Sequence, residues 1–409
     1  MVRIERHMVN TIIPPTTLPP ALVITGPRAT GKSHAAASLF PRHRHVTLTL
    51  PTECARAQLD PAAFLTGHPP PVMIDDVHLA PRLVHHVAAL LGRQPAPPAS
   101  YVLVGSRPLL LAAAADEAFA GQGLVVRIDG LTHAEISAAR PDMPLAERLF
   151  RGGFPALYAD PAADVPAFMR DHVADHLARG LPGQLRVDSP HDFERFLRAA
   201  AVRSGRLLNK AELAREVGIA GSTAAIWLDT LLDAGLVALL HPWQPPRGRP
   251  LVKAPKLYFR DTGLCAHLLG IRSAADLTAS PHAAALWETC VHAEIRRLAA
   301  TETPAVEPVF WRDRTKEADF VLPTAHGLFV LDAAWTEFPA TTDVRRLLRV
   351  RDLLGAEAVA MLGVVCRTPT RQALREPSGP AVETIGLDDL AALGRRAGHA
   401  ADAAVTSGV

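Results

Sequence analysis

Short apolar runs alternate with helically spaced stretches through the first third of the chain. Leu22-Val23-Ile24-Thr25, Val72-Met73-Ile74, Tyr101 to Val104 and Leu124 to Ile128 are too short for buried helices and are flanked by Gly, Pro or Asp, which predicts strands. Between them, an alanine-rich stretch after Lys32 and an amphipathic one from about Leu83 to Leu91 predict helices. Strands alternating with helices imply a parallel sheet covered on both faces.

The pattern then changes. Residues 136–187 read as helical, interrupted by the turn Arg151-Gly152-Gly153-Phe154-Pro155. "LLNKAELAREVGIAGSTAAIWLDTLLDAGLV" has helix-turn-helix spacing: a short helix from Lys210 to Val217, Gly218 as its C-cap, and Ser222 as N-cap of a second helix. In that second helix Ile226, Leu228, Leu231 and Leu232 are available for burial. The proline-rich segment from Leu236 to Tyr258 predicts a wing. Further on, a helix "ALWETCVHAEIRRL" precedes a hairpin-like "VFWRDRTKEADFVL" and a strand "GLFVLDAAWTEF". No internal repeat is visible.

Composition narrows the class. The 409 residues are 48% apolar and 21% charged with a net charge of +2, an ordinary globular balance that calls for no general nucleic-acid or membrane binding. Cys54, Cys265, Cys290 and Cys366 are scattered without a CxxC pair, which argues against a disulfide framework or structural zinc. The opening residues lack the apolar core of a signal peptide and no stretch approaches a membrane span, so a cytoplasmic protein without membrane contact is expected.

The chemistry is most legible after the first strand. Gly26-Pro27-Arg28-Ala29-Thr30-Gly31-Lys32-Ser33 fits GxxxxGK[ST] at every fixed position. The glycines let the backbone wrap a phosphate, the helix beginning at Lys32 offers its positive end, Lys32 reaches the β- and γ-phosphates, and the Ser33 hydroxyl ligates Mg²⁺. Asp75 and Asp76 stand at the end of the second apolar run. Asp75 would accept the magnesium waters. Asp76 holds the place where hydrolysing ATPases usually carry a glutamate that orients the attacking water, and its shorter arm predicts slow or partner-dependent hydrolysis. Ser106 after the third run is a candidate γ-phosphate sensor, and Arg107 a contact for phosphate or a neighbour.

The order of these motifs resembles bacterial and archaeal AAA-type ATPases whose C-terminal half is domain of unknown function 4143. The resemblance is carried by "TGPRATGKS", by "IDDVHLAP" where the family has Asp-Glu followed by Gln, and by "LVGSRPLLL" in place of a Thr-Gly-Ser version. "FRGGFPAL", "VKAPKLYFRDTGL" and "FWRDRTKEADFVL" extend it over most of the chain, the Lys-x-Pro-Lys-x-Tyr-Phe-x-Asp-Thr-Gly-Leu string being the most specific. It implies a helical lid over the nucleotide, with Arg151 or Arg179 as γ-phosphate candidates. It also implies a C-terminal restriction-endonuclease-like fold with a metal site built from an acid at Glu288 or Glu294, from Asp319, and from a Glu-x-Lys on the next strand. Here Asp332 stands for the glutamate and Ala334 occupies the lysine position, so a degenerate nuclease used for binding is expected.

The fold class expected is therefore α/β: a P-loop NTPase parallel sheet core (1–135), a helical lid (136–190), a winged helix-turn-helix domain (191–270), a C-terminal restriction-endonuclease-like α/β domain (271–396) and a frayed tail (397–409). The function expected is an ATP-binding protein, a slow or partner-stimulated Mg²⁺-dependent ATPase acting as a nucleotide-dependent switch on a protein partner. Two alternatives stay open. One is a DNA-binding regulator using ATP as a conformational ligand, through Arg247, Arg249, Lys253 and Lys256, although the second helix offers only Ser222, Thr223, Asp229, Thr230 and Asp233. The other, less favoured, is an ATP-gated nuclease.

Overall fold

The computed structural model describes residues 4–6, 18–120, 123–179, 190–244, 252–300, 306–376 and 379–390. Two compact units are present, neither of them a continuous segment. The first gathers 1–131, 153–163 and 228–236; the second gathers 132–152, 164–227 and 237–409. The first unit is thus made of three separate pieces of chain.

In chain order the elements of residues 18–131 are β1 (Ala21–Thr25), α1 (Lys32–Leu39), β2 (Arg44–Thr47), α2 (Pro51–Leu59), α3 (Pro61–Gly67), β3 (Val72–Asp75), α4 (Arg82–Arg93), β4 (Tyr101–Gly105), α5 (Pro108–Phe119) and β5 (Leu124–Arg127). The five strands form one parallel sheet in the order β2-β3-β4-β1-β5. Alternate residues of β1 serve opposite faces, as a pleated strand requires. Ala21 and Val23 pack with Leu83, Val84, Val87 and Leu111. Leu22 and Ile24 pack with Ala35, Ala36, Val102 and Val126. Burial on both faces explains why β1, β3 and β4 read as continuous apolar runs. Thr25 aligns with Gly105 and with Arg127, so the segments following β1, β4 and β5 leave the sheet at one edge.

The chain continues through α6 (His133–Ala139), α7 (Leu145–Arg151), α8 (Ala156–Ala159), α9 (Val165–Arg179), α10 (Pro190–Ala201), β6 (Arg206–Leu207), α11 (Lys210–Val217), α12 (Gly221–Asp233), β7 (Val237–Leu240) and β8 (Lys256–Phe259). Thr132 and Glu135 close a reciprocal capping box at the start of α6. Gly218, at φ 78, ends α11 with its N–H on the Ala214 carbonyl. Helix α12 starts one residue before Ser222, with the Ala224 N–H on the Ala220 carbonyl, so Ser222 is not its cap. Trp227, Leu228 and Leu231 are buried, whereas Ile226, expected in the core, is 50% exposed. Strands β6, β8 and β7 form a three-stranded antiparallel sheet.

The remaining elements are α13 (Thr262–Leu268), α14 (Ala274–Ala279), α15 (Ala283–Ala299), β9 (Val309–Arg312), β10 (Glu317–Thr324), β11 (Gly327–Ala333), α16 (Thr341–Leu354), β12 (Val359–Val365), β13 (Gln372–Leu374) and β14 (Val382–Ile385). They build a mixed six-stranded sheet in the order β13-β14-β12-β11-β10-β9. Val344, Leu347 and Val350 of α16 pack on Val321, Val330 and Val364. The α15 side chain Trp287 is fully buried and donates from its indole to the Val365 carbonyl at 3.1 Å. The two sheets of this second unit are joined by backbone: the Phe310 N–H donates to the His241 carbonyl and the Trp243 N–H to the Phe310 carbonyl. The tail expected to fray, 397–409, lies outside the described residues, as do Arg247 and Arg249.

Candidate functional site

The turn after β1 is shaped by glycine. Gly26 has φ 147, and a Cβ there would sit 2.0 Å from the Ile128 carbonyl oxygen at the end of β5, so no side chain fits. Ala29 (φ 61) and Gly31 (φ 82) bring the chain back into α1. The Thr30 hydroxyl bonds the Pro27 and Ile128 carbonyls at 2.9 and 3.0 Å. Arg6 donates to the Thr30 and Asp129 carbonyls at 2.7 and 2.8 Å, which braces the loop from a second side. The result is a fixed loop, Gly26 to Ser33, at the positive end of α1.

Lys32 is 5% exposed, and its ammonium donates to the Pro27 carbonyl at 2.5 Å. Burial pushes its pKa down to about 8, against the pull of Asp75 and Asp76. Asp75 and Asp76 offset the desolvation of this ammonium only in part, since its pKa still falls. Ser33 is half-buried on the next position of α1 and Asp75 is buried at the end of β3. Hydroxyl and carboxylate oxygens are the donors that Mg²⁺ takes, and the glycine-shaped loop with its lysine suits phosphate. These residues fit a magnesium nucleotide.

Two histidines, unremarked in the sequence, flank the acidic pair. His45 Nε2 lies 3.5 Å from Asp75, and His78 Nδ1 lies 3.8 Å from Asp76 while accepting the Ser106 N–H at 3.3 Å. Burial, with Arg28 and Lys32 adding to it, holds His78 near pKa 4, so at neutral pH it is an uncharged acceptor joining the β3 and β4 turns. Asp76 sits at φ 56, and burial beside Asp75 raises its carboxyl pKa. A non-glycine residue held in the left-handed region marks a constrained turn. Arg107 does not stand alone. Its Nε donates to Asp233 at 2.5 Å, and the other Asp233 oxygen accepts the Leu110 N–H at 3.1 Å. Beyond α12, Gly235 (φ 70) lies against Pro27, Arg127 and Pro108. Asp233, expected as an exposed helix residue, is thus part of the first unit and tied to the start of α5.

The carboxylates singled out in the second unit do not converge as a set. Glu288 and Asp319 meet, but they meet on Lys256, whose ammonium lies 3.1 Å from Glu288, 2.5 Å from Glu317 and 3.2 Å from Asp319. Asp332 is turned to other partners: one oxygen accepts the Asp319 N–H at 3.1 Å and the other pairs with Arg346 at 2.9 Å. Glu294 is buried, taking the His133 N–H at 3.1 Å and Arg297 at 2.6 Å. Among the described residues no group of three His, Cys, Asp or Glu side chains could hold a metal ion. The donor set Glu288, Asp319 and Asp332 therefore does not fit a divalent cation.

The candidate DNA contacts change as well. Lys256 is 2% exposed and turned into its own carboxylates, so it offers nothing to a phosphate backbone; Lys253 is exposed. Arg151 is paired with Glu147 at 2.6 Å instead of reaching solvent, and the Arg179 side chain is outside the described set. The four cysteines are free thiols, with burial pushing Cys265 up to about 12. Among the described residues no helix is long and apolar enough to cross a membrane.

Comparison with known proteins adds the following. Residues 18–137 match the model of an AAA domain, and residues 144–275 match Domain of unknown function DUF8612, a designation other than 4143. The uncharacterized protein Rv2008c of Mycobacterium tuberculosis is 30% identical over 381 residues, covering 91% of this chain and 83% of its own length. The uncharacterized protein Mb2031c of Mycobacterium bovis matches with the same figures. Among solved structures, the Walker-type ATPase PABY2304 of Pyrococcus abyssi is 13% identical with a TM-score of 0.44, covering 65% of this chain and 96% of that one. The Aeropyrum pernix ORC2 protein is 13% identical with a TM-score of 0.32, covering 67% and 92%.

Proposed function

We propose, for a chain that belongs to the family of the mycobacterial proteins Rv2008c and Mb2031c and carries an AAA domain, the function of an ATP-binding switch with slow Mg²⁺-dependent hydrolysis. The observation that carries this reading is Lys32, buried where a glycine-shaped loop enters α1 and under the charges of Asp75 and Asp76. Gly26, Pro27, Arg28, Ala29, Thr30, Gly31 and Lys32 hold the phosphates, and Ser33 and Asp75 hold the magnesium, which supplies Lewis-acid neutralisation of the phosphate charge when bound. Asp76 orients the attacking water. Its short arm and the fixed left-handed backbone beneath it limit its reach, which supports a slow basal rate. Ser106, tied to His78 through its N–H, faces the γ-phosphate.

Arg107 gives the site its output. Asp233 now holds its guanidinium, and a γ-phosphate competes for the same cation. A shift of Arg107 towards phosphate frees Asp233 and with it the end of α12. The helices α11 and α12 with the β6-β8-β7 sheet act as a winged helix that contacts a protein partner. The exposed Gly221, Ser222 and Asp229 of α12 carry no positive charge, which disfavours DNA. The deciding measurement is Mg²⁺-dependent ATP turnover of the purified protein beside Lys32→Ala. Turnover lost in the variant supports a working ATPase. Equal turnover in both overturns the assignment of the loop.

A further inference from the structure

The carboxylate cluster in the second unit is the place where the resemblance implies a metal and the structure supplies a lysine. Lys256 enters from β8, while Glu288 comes from α15 and Glu317 and Asp319 from β10. An ammonium has three N–H donors, and three carboxylates lie at 2.5 to 3.2 Å from this one, so its hydrogen-bonding capacity is filled. The second oxygens of Glu317 and Asp319 are taken too, whereas Tyr258 shares the Glu288 oxygen that Lys256 holds. Glu317 reaches Arg312 at 3.2 Å, and Asp319 accepts the Ala333 N–H at 3.0 Å. The Tyr258 hydroxyl, two residues along the same strand face, donates to Glu288 at 2.5 Å. Glu288 Oε2 lies beneath Gly205, where a Cβ would come within 3.3 Å of it. A Mg²⁺ ion needs oxygen ligands at about 2.0–2.1 Å in octahedral array, and a divalent ion at this spot would share its ligands with a fixed positive charge at hydrogen-bond range. With its ammonium on all three carboxylates, Lys256 holds the ligands that a divalent ion would need.

We propose that Lys256 is the permanent cation of this cluster, standing where a divalent ion would stand, so that the C-terminal body binds no catalytic metal and cleaves nothing. No lysine stands at Ala334, where the resemblance implies one; the ammonium of this cluster comes from β8 instead. It fastens β8 to α15 and β10. The surrounding contacts run the same way: Ser204 Oγ is 2.8 Å from Thr289 Oγ1 on α15 and accepts the Phe259 N–H on β8 at 3.1 Å.

The test is a Mn²⁺ titration of the full chain without nucleotide, followed by the electron paramagnetic resonance of free Mn²⁺. The wild type and Asp319→Asn should give superimposable isotherms. Lys256→Met should bind one additional Mn²⁺ per chain, at least about tenfold tighter than any wild-type site, and that site should vanish in Lys256→Met/Asp319→Asn. A wild-type isotherm weakened by Asp319→Asn overturns the proposal, because metal then enters beside the lysine. So does a cooperatively melting Lys256→Met that gains no site. Should Lys256→Met fail to fold, the wild type against Asp319→Asn still decides, with Glu317→Gln as the milder second variant.

Discussion

Lys32 and Lys256 are both nearly sealed from solvent, at 5% and 2% exposure, and differ in what meets the ammonium. Lys32 rests on a carbonyl, and burial lowers its pKa to about 8. Lys256 rests on three carboxylates, which outweigh burial and raise its pKa above the ordinary lysine value. On the reading proposed above, the same residue in the same degree of burial is a receptor in one case and a fastener in the other. What separates them is whether carboxylates meet the ammonium directly or offset its burial only in part.

The sharpest break of this comparison is substitution of each lysine. Lys32→Ala should reduce ATP turnover on the order of 10²-fold or more, with the melting temperature little changed, because the hydrogen bond it removes runs to a carbonyl and burial already disfavours the charge. Lys256→Met should do the reverse: about 3–5 kcal/mol lost in urea unfolding, with nucleotide affinity retained. Destabilisation by Lys32→Ala exceeding that by Lys256→Met would invert the assignment of roles.

Next in size are the effects of pH. Lys32 is protonated below about 8, so ATP affinity measured by calorimetry should fall as pH rises past that value, by up to about tenfold per unit. Lys32→Arg should remove this dependence if the mutant still binds. The fastener behaves oppositely. Burial, then Asp319, raises the Glu288 pKa to about 7, so the folded state holds a proton there that the unfolded chain releases near 4.5. The stability from that proton is complete below about 4.5 and is lost as pH rises to about 7, on the order of 3 kcal/mol. Unfolding of Glu288→Gln should be flatter over that window. The smallest effect belongs to the output: Asp233→Ala, which releases Arg107, should change ATP affinity by about three- to tenfold, the scale of one exposed-side ion pair at a binding site. An unchanged affinity and turnover would leave Arg107 without a role in sensing.

Local strings were legible because their chemistry is local. The Gly26–Ser33 loop, the runs that became β1, β3, β4 and β5, and the Gly218 cap each depend on residues within a few positions of one another. Strand β2 was not legible: Arg44-His45-Val46-Thr47 carries one apolar residue, and its edge position needs no more. His45 and His78 were missed because what gives them meaning is the neighbouring strand. Arg107 and Asp233 lie 126 positions apart, and no periodicity connects them. Lys256 was misread as an exposed wing residue because Pro-rich sequence surrounds it. A signal was present, since Lys256 and Tyr258 lie two apart and so share one face of β8, and the unusual string around them places a charge and a hydroxyl together. Its second half is structural too. Asp261 caps α13 on the Leu264 N–H at 2.8 Å, and a Cβ on Gly263 would meet the Arg151 backbone at 2.7 Å.

The discontinuity of the first unit sets an order of synthesis. A ribosome delivers the five-stranded sheet by residue 127, but Gly153–Ala163 and Leu228–Leu236 belong to the same unit and emerge later. Until residue 236 has cleared the exit tunnel, Arg107 has no Asp233 to hold it. The shortest piece of chain containing every segment of the first unit runs through Leu236.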